Sequence, residues 1–146
     1  MSIKSTPKIY FFYEQEVALR RRTELKEFLL AIFKRYRKNL QGLNYVFCSD
    51  QRVLEINREF LKHDYFTDII TFELTPPGVP IEAEIYISVD RVRENALGHG
   101  ESFSRELHRV IFHGALHLCG FKDKLQKDQK RMRELEQEWL ERYFGE

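Results

Sequence analysis

Two histidines placed four residues apart carry the strongest chemical signal in the sequence. His113 and His117 lie in the segment FHGALHLCGFKD. On a helix, side chains at this spacing project from one face, so both imidazoles can reach one metal ion at about 2.0–2.1 Å. Gly120 ends such a helix and lets the chain turn back, which brings Asp123 toward the same point. The pattern therefore predicts a metal site with His113, His117 and Asp123 as ligands.

The residues around the pair bear on the competing interpretation, a chance arrangement on an exposed helix face. Phe112, Ala115 and Leu116 are apolar and predict a largely buried helix. A buried imidazole needs a polar partner or a metal, which favours the metal site. A zinc protease with the HExxH motif would carry its glutamate base at the position of Gly114. Because that glutamate is absent, peptide hydrolysis is the least favoured activity.

Three blocks of sequence resemble the YbeY family of metal-dependent endoribonucleases. The histidine segment is similar to the family's HGxLHLxGYDH motif. Residues 54–60 (LEINREF) and 67–72 (TDIITF) resemble its arginine-bearing helix and its TDVLSF strand, and residues 83–88 (AEIYIS) resemble the strand that follows. The blocks occur in the family's order, which makes chance similarity a poor explanation.

The resemblance implies an activity, a site and partners. It implies metal-dependent cleavage of single-stranded RNA, in late-stage ribosome quality control and maturation of the 3′ end of 16S rRNA. The implied partners are ribosomal RNA and the small ribosomal subunit. Arg58, His113 and His117 are the implied catalytic residues, and one Zn²⁺ per chain is the implied cofactor. Arg58 is a candidate for phosphate binding, because a guanidinium can contact two phosphate oxygens at once.

The sequence departs from the family motif at its third ligand. Asp123 stands where the family has a histidine, and Lys122 replaces the preceding aspartate. A carboxylate is a competent zinc ligand, so we expect the site to persist as two histidines and one carboxylate. The same ligand set also accepts other divalent ions, which widens the choice of metal. The alternative is that the third ligand is lost and that Asp123 is solvated.

A non-catalytic ribosome assembly or binding factor with a structural metal is the alternative function. Its motivation is the altered third ligand and the lack of an evident general base. Asp68 and Glu84 lie in the matching strand blocks and are either substrate-orienting groups or solvated strand residues. His108 is predicted to face away from the histidine pair, and Cys119 is interpreted as a buried thiol.

The elements that position these residues follow from the periodicity of apolar side chains. Strands are predicted over residues 9–13, 43–48, 67–74 and 84–89. Helices are predicted from an N-cap at Thr23 to Tyr36, and over residues 51–61, 90–98, 103–118 and 128–144. This order predicts an α+β fold in a single domain spanning residues 1–146. We expect a small mixed four-stranded sheet, about five helices packed mostly on one side, and the metal site at the end of a central helix.

Charge is balanced overall but divided along the chain. The 146 residues include 24 Lys or Arg and 23 Asp or Glu, which excludes a strongly basic coat for nucleic acid. Residues 20–38 nevertheless carry a net charge of +6, either for contact with an RNA backbone or as a solvated helix face. The last helix is acidic, and we expect RNA to avoid it. Its acidic residues are Glu134, Glu136, Glu138 and Glu141.

The remaining sequence features concern location. No run of about 18 apolar residues predicts a membrane span, and residues 1–8 lack the apolar core of a signal peptide. Cys48 and Cys119 form no CxxC pair and are expected to be reduced and buried. These features predict a cytoplasmic protein without a membrane partner. They leave the oligomeric state open.

Overall fold

The computed structural model describes residues 6–146, within which four strands form one sheet and five helices pack against it. The first five residues of the polar N-terminal stretch lie outside the described residues. The strands are β1 (Lys8–Tyr13), β2 (Leu40–Cys48), β3 (Ile69–Glu73) and β4 (Ile81–Ser88). The helices are α1 (Arg22–Arg35), α2 (Asp50–Phe60), α3 (Val89–His99), α4 (Phe103–Leu118) and α5 (Gln126–Phe144).

The sheet is mixed, as the sequence predicts. Its strands lie in the order β1-β2-β4-β3. β1, β2 and β4 run parallel, and β3 pairs with β4 in the antiparallel direction. The proline-rich segment 74–80 connects β3 to β4, and the Leu74 N–H donates to the Glu82 carbonyl at 2.7 Å as the two strands separate. β3 is therefore one edge of the sheet, and β1 is the other.

The two faces of the sheet are covered unequally. Alternate residues of a strand point to opposite faces. On β2, Tyr45 and Phe47 join the main core, where α1, α3, α4 and α5 contribute apolar side chains. Cys48 lies on the other face, in a small cluster with Val53 and Ile56 of α2. Four helices thus cover one face and α2 covers part of the other, which confirms the predicted α+β arrangement.

Helix α4 is the central helix that the sequence predicts. Its N-cap Ser102 accepts a hydrogen bond from the Arg105 N–H, and ten of its residues are buried. Gly120 follows the helix with φ +102°, in the left-handed region that favours glycine. A Cβ on Gly114 would lie 2.8 Å from Cδ1 of Ile85, so this glycine lets α4 approach the sheet closely.

Several predicted boundaries are wrong, since β2 and β4 each begin three residues earlier than predicted. Thr23 is not the N-cap of α1, because the helix begins at Arg22, two residues earlier than predicted, and Arg21 occupies the cap position in a left-handed conformation. Arg21 is held there by an ion pair with Glu24 instead of a side-chain cap. β3 is shorter than predicted, because Thr67 and Asp68 precede the ladder and face a cleft. Among the described residues, no helix has both the length and the apolar character of a membrane span.

Candidate active site

A polar cleft of about 320 Å³ opens where the C-terminal half of α4 meets β3 and the segment that follows α2. His113, His117 and Asp123 all line it. Asp68 lines it too, at the start of the edge strand, whereas Glu84 is not among its lining residues. The structure therefore brings the three predicted metal ligands to one cavity.

The imidazole of His113 is held between two carboxylates. Its Nδ1 lies 2.6 Å from Oε2 of Glu136, and its Nε2 lies 3.2 Å from Oδ2 of Asp123. Glu136 comes from α5 and is only 4% exposed. Because Glu136 occupies the Nδ1 side, Nε2 is directed to Asp123 and the cleft. A carboxylate on the second ring nitrogen is the arrangement that metal-ligating histidines commonly have.

Arg109 balances the buried negative charge behind His113. Its Nη1 lies 3.1 Å from Oε1 of Glu136, and its Nη2 lies 2.6 Å from Oε2 of Glu106. The same Nη2 is 3.5 Å from Oδ2 of Asp68 at the cleft wall. Buried charges are tolerated when they are paired in this way. The guanidinium thus joins α4, α5 and the start of β3 into one network.

This network was not predicted from the sequence, although a signal for it exists. Glu136 follows Leu135 and precedes Trp139 and Leu140 on the apolar face of α5, and Glu106 is likewise buried within α4. Acidic residues on apolar helix faces indicate buried ion pairs. The expectation that Glu136 belongs to an exposed acidic face is therefore wrong, whereas Glu134, Glu138 and Glu141 are exposed.

The network shifts the protonation of two cleft residues. Burial lowers the pKa of His113, but the hydrogen bond and charge of Glu136 and the charge of Asp123 outweigh it, so its pKa lies above its ordinary value. Burial raises the pKa of Asp68, and the nearby Arg109 opposes this only in part. The cleft therefore contains a carboxyl group with increased proton affinity, which is a property of groups that exchange protons during catalysis.

The nitrogen and oxygen donors of His113, Asp123 and His117 fit a divalent metal, although His117 lies apart from the other two. The 3.2 Å between Nε2 of His113 and Oδ2 of Asp123 is close to the separation of about 3.3 Å between two ligands of a tetrahedral zinc ion. His117 is exposed on the cleft wall one turn further along α4. Within residues 6–146, no three His, Cys, Asp or Glu side chains are grouped closely enough to hold a metal as they stand.

Arg58 lies outside the residues that line the cleft. It is near the end of α2, and its guanidinium forms an ion pair with Asp64 on the surface. Both side chains are more than half exposed, so the pair is readily exchanged for another partner. The role of Arg58 stays a prediction.

The histidine and cysteines that the sequence sets aside are indeed elsewhere. His108 is buried, its Nδ1 lies 2.6 Å from the Ser104 carbonyl, and its ring stacks on Tyr143 away from the cleft. Cys48 and Cys119 are free and buried, and burial raises the pKa of each thiol to about 12. Both are therefore unreactive thiols, as expected.

Fold and site together define a small α+β domain with a histidine–carboxylate centre at a sheet edge. The family model for endoribonuclease YbeY matches residues 12–144. Endoribonuclease YbeY of Cytophaga hutchinsonii is 47% identical over 126 residues, covering 86% of this chain and 88% of that protein. Its counterpart in Porphyromonas gingivalis is 44% identical, covering 88% of this chain and 86% of the relative.

A solved structure supports the same assignment. The solution structure of TM1509 from Thermotoga maritima has a TM-score of 0.64 to this chain, with 29% identity, and the match covers 94% of this chain and 89% of the other. The chain belongs to the endoribonuclease YbeY family. This membership confirms the resemblance carried by the three sequence blocks and the predicted enzyme class.

Proposed function

We propose that the chain cuts single-stranded RNA in the cleft between α4 and β3, with a divalent metal held by His113, His117 and Asp123. The observation that carries the proposal is the contact of Nε2 of His113 with Asp123 inside the cleft, at 3.2 Å, with Glu136 on the opposite ring nitrogen. The proposed ion is zinc, one per chain, which takes nitrogen and oxygen donors, and the same ligand set also accepts other divalent ions.

Each cleft residue has a defined part in this proposal. A bound divalent ion supplies Lewis-acid stabilisation of charge on the phosphodiester oxygens. Glu136 keeps the His113 ring oriented. Asp68, whose pKa is raised, accepts or donates a proton at the reacting phosphate. Arg58 leaves its exposed partner Asp64 to bind a phosphate oxygen at the cleft mouth, an exchange that costs about 1 kcal/mol or less.

The proposed substrate is ribosomal RNA. The family resemblance implies the 3′ end of 16S rRNA and late-stage quality control of the small subunit, which would place the protein in the cytoplasm. The net charge of +1 supports a defined substrate, because it provides little general attraction to nucleic acid. RNA binding then depends on the local surface beside the cleft.

The test combines metal content with RNA cleavage. The double variant His113→Ala/His117→Ala is expected to lose its metal and at least about 100-fold of the cleavage rate, since both ligands disappear. Lys127→Ala/Lys130→Ala is the control double variant, because both residues are exposed on α5 and do not line this cleft. Folding is checked by circular dichroism. Undiminished cleavage by the double variant would assign the activity to a contaminant.

Two further variants separate the proposed roles. Asp123→Ala is expected to weaken metal binding, whereas Arg58→Ala is expected to retain metal and lose cleavage. Unchanged metal affinity in Asp123→Ala would remove that residue from the ligand set. RNA binding without cleavage by the metal-loaded wild type would instead support the non-catalytic assembly factor. Analysis of the product ends then distinguishes attack by water from attack by the 2′-hydroxyl, which leaves a 2′,3′-cyclic phosphate.

A further inference from the structure

His117 lies at the junction of the cleft and a second depression, here called the cationic groove. This groove, of about 350 Å³, runs between the end of α1 and the turn that joins β3 to β4. Arg37 and Lys38 line it on one side, and Pro76–Val79 line it on the other. Because His117 lines both cavities, a ligand that fills the cleft can continue into the groove.

The cationic groove gathers positive charge where the predicted basic segment ends. Arg37 and Lys38 are exposed, and within the described part of the chain neither forms an ion pair. Their backbone is fixed, because the N–H groups of both residues donate to the last turn of α1, at 3.1 and 2.9 Å. Glu73 is the one acidic residue among those that line the groove. Two neighbouring, unpaired cations on a fixed backbone are suited to consecutive backbone phosphates.

The cleft also has an aromatic wall. The rings of His63 and Tyr65 both line the cleft and stack on each other, with centroids 5.2 Å apart and an angle of 20° between the planes. Asn57 holds this segment in place through two hydrogen bonds. Its side-chain Nδ2 donates to the Tyr65 carbonyl at 2.9 Å, and its backbone carbonyl accepts from the His63 N–H at 3.0 Å. Tyr65 is 55% exposed, which leaves ring surface for a nucleobase.

We propose that a single strand of RNA lies across the site, with one base stacked on Tyr65, a phosphate in the cleft and the next phosphates on Arg37 and Lys38. The inference rests on the proposed function, because it places the substrate of that cleft. It also gives single-strand preference a physical cause. A duplex keeps its bases stacked inside and offers none to the aromatic wall, whereas an unpaired base stacks on an exposed ring.

The cationic side is tested by the salt dependence of RNA binding. Arg37→Gln/Lys38→Gln should bind a labelled single-stranded RNA about 10-fold more weakly. The slope of log affinity against log salt should fall by about 0.7 for each phosphate that the variant no longer neutralises. Arg20→Gln/Arg22→Gln removes the same charge from the opposite end of the basic segment and is the matched control. Binding is measured with metal-loaded protein in an Arg58→Ala background, which is expected to hold the metal without cutting, so that the RNA stays intact.

The aromatic side is tested by a different signature. Tyr65→Ala should weaken binding at least about 5-fold with an unchanged salt slope, and Tyr65→Phe should restore it, because stacking needs the ring and not the hydroxyl. Tyr10→Ala is the control, since Tyr10 is 46% exposed on β1, outside the cleft. RNAs that each carry one abasic site at a different position should also be compared. At the position whose base stacks on Tyr65, the abasic RNA should bind the wild type and Tyr65→Ala with equal affinity.

The outcomes distinguish this inference from the proposed function. If the wild type binds single-stranded RNA but Tyr65→Ala and Arg37→Gln/Lys38→Gln match their controls, the inference is overturned and the proposed function stands. If the wild type binds duplex and single strand equally, the aromatic wall has no part in substrate choice. If the wild type neither binds nor cuts RNA, the proposed function itself fails.

Discussion

The orientation of one imidazole is the main result at the scale of the residue. His113 comes from α4, yet its ring position is set by Glu136 of α5 at 2.6 Å. Glu136 is in turn held by Arg109, at 3.1 Å. The Glu136 carboxylate faces Nδ1 of the ring, so Nε2 remains available to a metal. The geometry of the predicted ligand therefore depends on residues that bind no metal.

Glu136→Gln should weaken metal binding by about 10- to 100-fold, the usual effect of losing a carboxylate behind a histidine ligand. The measurement is competition with a chelating indicator, using zinc and the folded wild type as reference. Glu134→Gln is the matched control, because Glu134 is exposed on the same helix. The effect should vanish in a His113→Ala background. Equal losses with and without His113 would make Glu136 a structural residue only.

The residue scale also shows what sequence alone can supply. The presence of His113 and His117 in one cleft was predictable, because their spacing along one helix places both side chains on a shared face. Asp123 was predictable only from the turn at Gly120 and the family motif. Glu136 was not, because nothing in a sequence states which residue of α5 meets which residue of α4. That information depends on how two helices pack, and the signal that existed was an acidic residue on an apolar face.

At the scale of the element, the position of α4 depends on its contact with the sheet. The sequence predicts the helix between Phe103 and Leu118 with its observed boundaries, because an apolar stripe and a terminal glycine mark it. Its distance from β4 is set by Gly114, opposite Ile85. The sequence could indicate that another group packs closely against this glycine. It could not indicate that this group is a side chain of β4.

Gly114→Val should lower the free energy of unfolding by about 1–3 kcal/mol, because the added atoms meet the buried Ile85 and overpack the core. Denaturant unfolding measures the change. Gly98→Val in α3 is the control, since it carries the same change of helix propensity at a position with nothing within 4 Å of its Cβ. Equal destabilisation of the two variants would show that Gly114 does not set the helix–sheet distance.

At the scale of the whole molecule, one apolar core joins the sheet to four helices. Aromatic contacts connect three of these helices within the core. Phe28 of α1 packs against Phe112 of α4 and against Trp139 of α5. The Trp139 indole donates a hydrogen bond to the Tyr36 hydroxyl at 2.9 Å. Elements that share one core are expected to unfold together, in accord with the predicted single domain.

Unfolding in denaturant should therefore be a single transition. Trp139 is the one tryptophan of the chain and reports the contact of α5 with α1, while far-ultraviolet circular dichroism reports all helices. The two probes should give the same midpoint, because loss of the shared core removes both signals. Separate midpoints would divide the chain into two units.

The order of the elements has a consequence for biosynthesis. β2 lies between β1 and β4, so it gains its second neighbour only after the chain has been made as far as Ser88. The residues that shape the cleft are spread still wider, from Asn57 to Asp123, and Glu136 of α5 completes the network behind them. Domains fold as units once their chain is available. A nascent chain that lacks α5 thus lacks the carboxylate that faces Nδ1 of His113, so this imidazole takes up its orientation only after α5 has been made.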